Sequence, residues 1–266
     1  LSATTVAKIF AGEITRWNDP AIAADNNRSV TTVVYKKDAQ GNAVKDKSGN
    51  PVVLRTGTKG IIYTLPNQPI KVVFRADGSG TTNNFTSALA GVAPTVWTKA
   101  GNDSFVTSNP TDVTKFPAQF QAASGSDGVA ALAARTKYSI TYVETGFITA
   151  NKALKAAVVI NNAGKTVSPD VTGAQAMFAV SDLNEATGLV TWNYKTTAPA
   201  AYPFTAGTYA MVKSNYGKAD LASAVKRQVE YMAFDCSTKV TTEGMIPIAK
   251  TSDLGKAILK LTAKIA

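Results

Sequence analysis

The residues best suited to chemistry lie together in the stretch Arg75–Thr82, which reads RADGSGTT. Glycines beside a helix start let a ligand approach the first backbone N–H groups, which have no partner inside the helix and carry a partial positive charge. Ser79 and Thr81 add hydroxyl donors at the same end, and the planar guanidinium of Arg75 can hold a tetrahedral oxyanion in two places. Asp77 is placed to orient that guanidinium through a salt bridge. The spacing therefore predicts an anion-binding site at a helix N-terminus.

Two nucleotide-binding patterns do not fit this stretch. No Gly-Lys-Thr follows the spacer residues that a nucleotide phosphate loop requires. The third glycine of a dinucleotide-binding turn is also missing at the required step. A plain turn between a strand and a helix remains the alternative, because Gly-Ser-Gly is common at such turns. A second glycine-rich turn, Ser124–Gly128, also leads into a helical pattern.

The elements that must position the anion site read as strands alternating with helices. Ile70–Phe74 is a short apolar run typical of a strand, and Phe85 and Leu89 are spaced as on one helix face. This alternation predicts an α/β architecture without an internal repeat. We also expect a first helix capped by Ser2 and ended by Gly12, strands at Tyr138–Val143 and Tyr202–Val212, and helices that start at Pro169, at a cap Asp220 and at about Ser252.

Residues 31–64 predict a hairpin that the core does not need. Two β-rich runs flank a charged stretch with turn signals at Gln40–Asn42 and Ser48–Pro51. Asp38 and Asp46 in this stretch suggest a calcium loop, but the spacing lacks the form of a known calcium-binding loop. We therefore expect no metal site and no cofactor.

Composition excludes several classes of site in this chain. The 266 residues contain no histidine, which excludes Ser-His-Asp and Cys-His triads and metal sites that need histidine. The single cysteine, Cys236, excludes an intrachain disulfide and a cysteine zinc cluster, and we interpret it as a packing residue. The net charge is +10, but the basic residues are dispersed, so we expect no nucleic-acid partner. No apolar run is long enough to cross a membrane.

The motif Arg75–Thr82 resembles the phosphate-gripping motif of the periplasmic phosphate-binding proteins of phosphate-specific ABC transporters. Three further segments resemble that family in the same order along the chain: Leu1–Ile22, Gly125–Glu144 with a gap at 132–138, and Tyr202–Thr205. The resemblance implies a type II periplasmic-binding-protein-like fold, a clamp of two α/β domains with phosphate buried between them. It also implies that Arg75, Ser79, Gly80 and Thr81 contact phosphate, that Asp77 orients Arg75, and that a membrane permease is the partner.

One departure from the family concerns the N-terminal third, for which this sequence has no counterpart. The resemblance then implies that residues 1–200 form the complete second domain and that 201–266 form only the C-terminal part of the first. The family's opposite phosphate wall, with a carboxylate that accepts the phosphate proton, lies in the missing third. We therefore expect an upstream segment that is a separate chain, is removed by cleavage or was absent from the sequenced material. The family resemblance places the protein in the periplasm or at the cell surface.

Two other functions remain open at this stage. A structural or adhesive extracellular protein that reuses the fold, and assembles with a separate upstream chain, would account for the hairpin and the partial domain. A phosphate-ester hydrolase is disfavoured because Ser79 has no histidine to serve as a base. We interpret Glu144 as a strand end, Tyr138 and Tyr142 as half-buried residues on one strand face, and the tryptophans Trp17, Trp97 and Trp192 as packing residues.

Overall fold

The computed structural model describes residues 1–241 and 244–266, in which helices alternate with short strands. The α-helices are α1 (Ala3–Ala11), α2 (Pro20–Asn26), α3 (Gly80–Val92), α4 (Phe105–Ser108), α5 (Gly125–Arg135), α6 (Thr145–Ala150), α7 (Val171–Ala179), α8 (Ala219–Glu230), α9 (Ser237–Lys239) and α10 (Asp253–Thr262). The strands are β1 (Arg28–Tyr35), β2 (Val53–Ile61), β3 (Lys71–Arg75), β4 (Phe120–Ala123), β5 (Ser139–Ile140), β6 (Val159–Ile160), β7 (Thr166–Val167), β8 (Asp182–Leu183) and β9 (Val190–Thr191). A short 3₁₀ helix spans Val113–Lys115, and Tyr231–Cys236 is π-helical.

The chain divides into two compact units. The larger unit combines Leu1–Arg16 with Gln68–Ala266, and the smaller unit is Trp17–Asn67. The smaller unit holds α2 and an antiparallel ribbon of β1 and β2, in which Arg28 pairs with Ile61. Every residue of β1 is exposed, and so is every residue of β2 except the half-buried Ile61. A ribbon of two strands with both faces in water has little apolar burial of its own.

The end of this ribbon is built from a tandem octapeptide, KDAQGNAV from residue 37 and KDKSGNPV from residue 45. In the first copy Asp38 Oδ1 accepts hydrogen bonds from two backbone N–H groups of its own turn, at 3.0 and 2.9 Å. Asp46 Oδ1 does the same in the second copy, at 2.8 and 2.9 Å. The glycine of each copy has a left-handed backbone, with φ of +87° and +82°. The expectation of no internal repeat is therefore wrong, since the repeat encodes one turn twice.

The larger unit is built around a parallel sheet with the strand order β4-β3-β5. Val72 and Val73 in the central strand are completely buried, as expected for a parallel strand covered on both faces. Val73 packs with Val129 of α5 in the core. Arg75 pairs in register with Ala123, so β3 and β4 end at the same edge of the sheet. The turns that follow both strands therefore lie side by side at this edge.

An aromatic cluster holds α1, α3 and α4 against the segment that follows β5. The rings of Phe85 and Tyr142 are stacked with centroids 4.5 Å apart, and Phe10 meets Phe85 edge-on at 4.8 Å. Phe105 lies 6.0 Å from Tyr142 and 6.0 Å from Trp97, which is 1% exposed. Aromatic pairs in such geometries contribute about 0.5–1.5 kcal/mol each beyond their burial. The interpretation of Trp97 as a packing residue is confirmed.

Several helix boundaries follow the capping signals of the sequence. Ser2 Oγ accepts a hydrogen bond from Thr5 N–H at 3.1 Å, and Gly12 ends α1 with a φ of +82°. Ser252 Oγ caps α10 through Gly255 N–H at 3.1 Å. These predictions are confirmed because a cap depends on residues that are close in sequence.

Two helix starts differ from the prediction. α7 starts at Val171 and not at Pro169, because the Asp170 side chain accepts a hydrogen bond from the Gly173 N–H group and so forms the cap. α8 starts at Ala219, which places Asp220 inside the first turn and not at the cap position. A carboxylate in a first turn still interacts favourably with the helix dipole.

Two predicted strands are wrong or too long. In Tyr202–Val212 no residue forms a strand, and the Thr205 hydroxyl donates back to the Tyr202 carbonyl at 2.8 Å. Met211 in this segment is 95% exposed. Within Tyr138–Val143 only Ser139–Ile140 is a strand, and Tyr138 has a φ of +62°. Tyr138 is therefore exposed while Tyr142 is buried, and the two do not share a strand face.

Within residues 1–241 and 244–266, no helix combines the length and the hydrophobicity that a membrane crossing requires.

Candidate anion-binding site

The site begins where β3 ends and α3 starts. A turn of four residues, 76–79, connects Arg75 to Gly80, and Ser79 is the N-cap of α3. Ser79 Oγ accepts the Thr82 N–H at 3.3 Å, and the Ser79 N–H donates to the Asp103 carbonyl at 3.0 Å. Ser79 is buried, so these contacts fix the start of the helix. Because Ser79 Oγ acts here as an acceptor, its own hydroxyl proton can still be donated to a ligand.

The first turn of α3 presents unpaired backbone donors to the surface. In the part of the chain that the structure describes, no group accepts a hydrogen bond from the N–H of Gly80 or Thr81. A Cβ added at Gly80 would meet no atom within 4 Å, so the space beside it is open to a ligand. These N–H groups lie at the N-terminus of a helix of 13 residues, which is the positive end of the helix dipole. The turn is therefore suited to an anion.

Arg75 supplies a fixed cation at this edge of the sheet. Its Nε donates to Asp77 Oδ1 at 2.9 Å, and one Nη donates to Asp77 Oδ2 at 2.5 Å. The other Nη donates to Ser126 Oγ at 3.0 Å. A guanidinium has five N–H donors, so each Nη keeps one donor beyond these described contacts. The side chain is only 13% exposed, and its partners leave this pair of donors in a defined position.

Asp77 joins the two glycine-rich turns. Besides both bonds from Arg75, its Oδ1 accepts the Gly125 N–H at 3.0 Å, at the start of α5. The Arg75 hydrogen bonds, together with the Gly125 N–H, hold the pKa of the Asp77 carboxyl well below its usual range. The same pair raises the pKa of Arg75. Asp77 therefore stays ionised and fixes the orientation of the guanidinium.

Tyr142 connects β3 to α3 through hydrogen bonds of its hydroxyl group. Its hydroxyl accepts the Arg75 backbone N–H at 3.3 Å and lies 2.8 Å from Thr82 Oγ1. Tyr142 is buried, and this burial raises the pKa of its hydroxyl. The phenol therefore remains protonated at neutral pH and can take part in both contacts.

Glu144 reaches the first turn of α3 from the same segment. The Thr81 hydroxyl lies 2.5 Å from Glu144 Oε1 and donates to it. Glu144 is exposed and is the N-cap residue of α6, although its side chain does not cap that helix. A negative charge therefore stands directly beside the cluster of anion-binding donors.

The structure brings together the residues that the sequence predicts for this site. Arg75, Asp77, Ser79, Gly80 and Thr81 all lie at one edge of the sheet and the helix start that follows it. Their roles in binding a ligand remain predictions.

Sequence reasoning missed three residues at this site, namely Ser126, Tyr142 and Glu144. The second glycine-rich turn was a signal for Ser126, because it also precedes a helix. The interpretation of Glu144 as a strand end is wrong, since the residue lies beyond β5 and contacts Thr81. In residues 1–241 and 244–266 no group of three or more acidic or cysteine side chains is placed to hold a metal ion.

Comparison with curated proteins gives relatives that are about 30% identical to this chain over the aligned residues. Phosphate-binding protein PstS 2 of Mycobacterium tuberculosis is 31% identical over 259 residues, which covers 94% of this chain and 57% of that protein. Phosphate-binding protein PstS of Pasteurella multocida is 29% identical over 225 residues, which covers 85% of this chain and 53% of that protein. The chain thus spans about half the length of the curated relatives that it matches.

Solved structures share the fold of this chain. A high-affinity periplasmic phosphate-binding protein solved with phosphate matches 99% of this chain and 64% of its own, with a TM-score of 0.57 and 22% identity. A phosphate-binding protein from Stenotrophomonas maltophilia matches the same shares, with a TM-score of 0.56 and 16% identity. The predicted α/β, periplasmic-binding-protein-like fold is therefore confirmed. A family model described as a PBP superfamily domain matches residues 1–233, and the chain belongs to the PBP superfamily.

Proposed function

We propose that this protein binds inorganic phosphate outside the cytoplasm and delivers it to an ABC-transporter permease. The observation that carries the proposal is the arrangement of Arg75. Its guanidinium is fixed by Asp77 and Ser126, and its two remaining donors lie at the edge where α3 presents unpaired N–H groups. Fixed donors of this kind match a tetrahedral oxyanion that accepts several hydrogen bonds at once.

The relatives support phosphate as the anion. The curated relatives are named as phosphate-binding proteins, and one protein of similar fold was solved with phosphate bound. They give no support to the structural or adhesive alternative. Binding is also favoured over catalysis, because the chain contains no histidine and Ser79 Oγ contacts no base among its described partners.

We also propose that residues 1–200 form one domain of a clamp and that 201–266 belong to the other domain. Several large apolar side chains in 201–266 are exposed, among them Met211 at 95%, Leu221 at 47% and Met232 at 50%. Exposed apolar residues in one region are typical of an interface. In this proposal further polypeptide, from the same gene product or a separate chain, covers these residues and supplies the opposite wall of the phosphate site.

Isothermal titration of phosphate into the native protein, expressed from its complete gene, tests the proposed function. We expect saturable binding with one phosphate for each protein molecule. Native protein that releases or absorbs no heat with phosphate, and is not stabilised against heat by it, would refute the proposal. Phosphate transport by cells that lack the protein, compared with cells that contain it, tests delivery to the permease.

A further inference from the structure

The ribbon of β1 and β2, together with its turns, carries half of the net charge of the chain. Residues 28–63 contain seven basic and two acidic side chains, which gives a net charge of +5, compared with +10 for all 266 residues. The two acidic residues are Asp38 and Asp46, and Oδ1 of each already accepts two backbone N–H groups. Among the described residues, none of the seven basic side chains has a salt-bridge partner. The ribbon is therefore a strongly positive surface.

The register of the ribbon gathers the basic residues of its paired strands on one face. Residues that lie opposite each other in an antiparallel pair share a face, and successive residues alternate between the two faces. Three pairs therefore share what we call the basic face: Arg28 with Ile61, Lys59 with Val30, and Arg55 with Val34. Each basic residue thus lies opposite an aliphatic one. Val30 and Val34 are exposed, so the apolar groups of this face also reach solvent.

The opposite face of the paired strands carries no charged side chain. Its first three pairs are Ser29 with Gly60, Thr31 with Thr58, and Val33 with Thr56. Arg28 and Lys59 are distant in the sequence, so the grouping of charge on the basic face arises from strand pairing and not from a run of basic residues along the chain. Over the eight residues of β1 the basic face extends for about 27 Å, at about 3.4 Å for each residue.

The tip of the ribbon is held by its own backbone. Lys36 N–H donates to the Val52 carbonyl at 2.9 Å, and Val44 N–H donates to the Lys36 carbonyl at 2.8 Å. Val52 N–H donates to the Val44 carbonyl at 2.8 Å. These three hydrogen bonds form a closed ring that joins the end of β1 to both octapeptide turns. The exposed lysines at positions 36, 37, 45 and 47 are therefore carried by a fixed backbone beyond the end of the basic face.

This positive surface differs in kind from the anion site at Arg75. There the guanidinium is held by Asp77 and Ser126, which suits one small ligand in a fixed position. The basic residues of the ribbon have no described ion pair and are spread along a surface, which suits many mobile anionic groups at once. A bilayer with anionic lipids offers such groups, and the aliphatic side chains among the cations can enter its interface.

We infer that the ribbon docks through its basic face on a membrane that contains anionic lipids. The cations contact the phosphate groups of the lipid headgroups, and Val30 and Val34 contact the adjoining acyl region. The inference goes beyond the proposed function, since it does not need phosphate to be bound. It agrees with that function, because a protein that delivers a solute to a permease works at a membrane surface.

Co-sedimentation of the native protein with lipid vesicles tests this inference. The vesicles consist of phosphatidylcholine alone or of equal parts of phosphatidylcholine and phosphatidylglycerol, at low ionic strength. We expect binding to the anionic vesicles only, and loss of that binding at about 1 M salt, where the Debye length falls to about 3 Å. The triple variant Arg28→Gln/Arg55→Gln/Lys59→Gln should bind the anionic vesicles about 100-fold more weakly, since each basic residue contributes about fivefold.

Two controls separate the position of the charge from its total. The triple variant Arg135→Gln/Lys152→Gln/Lys155→Gln removes the same charge from exposed positions of the larger unit, and it should bind the vesicles as the native protein does. Val34→Glu and Val33→Glu add the same charge at adjacent positions of β1 but on opposite faces. Val34→Glu places its carboxylate opposite Arg55 and should weaken vesicle binding at least fivefold more than Val33→Glu does.

Several results would overturn the inference. They are native protein that ignores the anionic vesicles or binds the neutral ones equally well, equal losses in the two triple variants, and equal losses in the two valine variants. Tighter binding of polyglutamate than of the vesicles, at equal negative charge, would assign the face to an acidic protein chain instead. Phosphate titration of the same variants should match the native protein, so a failure of the proposed function appears in that titration and not in the vesicle assay.

Discussion

The substitution Arg75→Lys isolates the geometry of the guanidinium from its charge. The arginine makes three described hydrogen bonds to Asp77 and Ser126 and keeps one donor on each Nη. A lysine ammonium is a compact charge that cannot reproduce this planar arrangement. If one charged hydrogen bond to the anion is lost, about 1.5–3 kcal/mol of binding free energy is lost, or about 10- to 150-fold in affinity.

Isothermal titration at a fixed ionic strength measures this loss. Arg135→Ala is the matched control, because Arg135 is an exposed arginine at the end of α5 without a described contact to the site. We expect the control to bind phosphate as the native protein does, and Arg75→Ala to lose at least as much affinity as Arg75→Lys. If Arg75→Lys binds phosphate with native affinity, charge alone is sufficient and the argument from the two remaining donors is wrong.

Two further substitutions test the support of the site, and one segment replacement tests the independence of the ribbon. Asp77→Asn should lower the free energy of unfolding at neutral pH. Because the pKa of Asp77 is depressed in the folded protein, the difference in stability between the variant and the native protein should persist down to about pH 5 and vanish in strong acid. Urea unfolding at several pH values measures this difference. Replacement of Trp17–Asn67 by a short Gly-Ser linker should leave phosphate binding and cooperative melting intact. The two segments that the linker would connect already lie close together, because the Ile70 N–H donates to the Thr15 carbonyl at 2.8 Å. Tyr142→Phe should lower the free energy of unfolding by about 1–3 kcal/mol, because buried partners lose their hydrogen bond; an unchanged urea midpoint would contradict this.

Local signals predicted the framework of the site well. The apolar run before Arg75 and the glycines Gly78 and Gly80 at the start of α3 depend on residues within one strand, one turn and one helix. The caps at Ser2 and Ser252 were predictable for the same reason. Each of these features involves side chains and backbone groups that are only a few residues apart.

The remaining parts of the site depend on contacts between distant residues. Ser126 follows Arg75 by 51 positions and Glu144 follows Thr81 by 63 positions, and both contacts require the parallel order of the central sheet. The order of the strands in this sheet could not be predicted from the sequence. Hydrophobicity alone also misassigned Tyr202–Val212, because a strand forms only where another strand pairs with it, and none of the described residues does so.

A crystal structure of the native protein grown with phosphate tests the central claim most directly. The account predicts one phosphate with oxygens within hydrogen-bond distance of both Nη atoms of Arg75 and of the N–H groups of Gly80 and Thr81. A phosphate bound elsewhere, with Arg75 held only by Asp77 and Ser126, would contradict it.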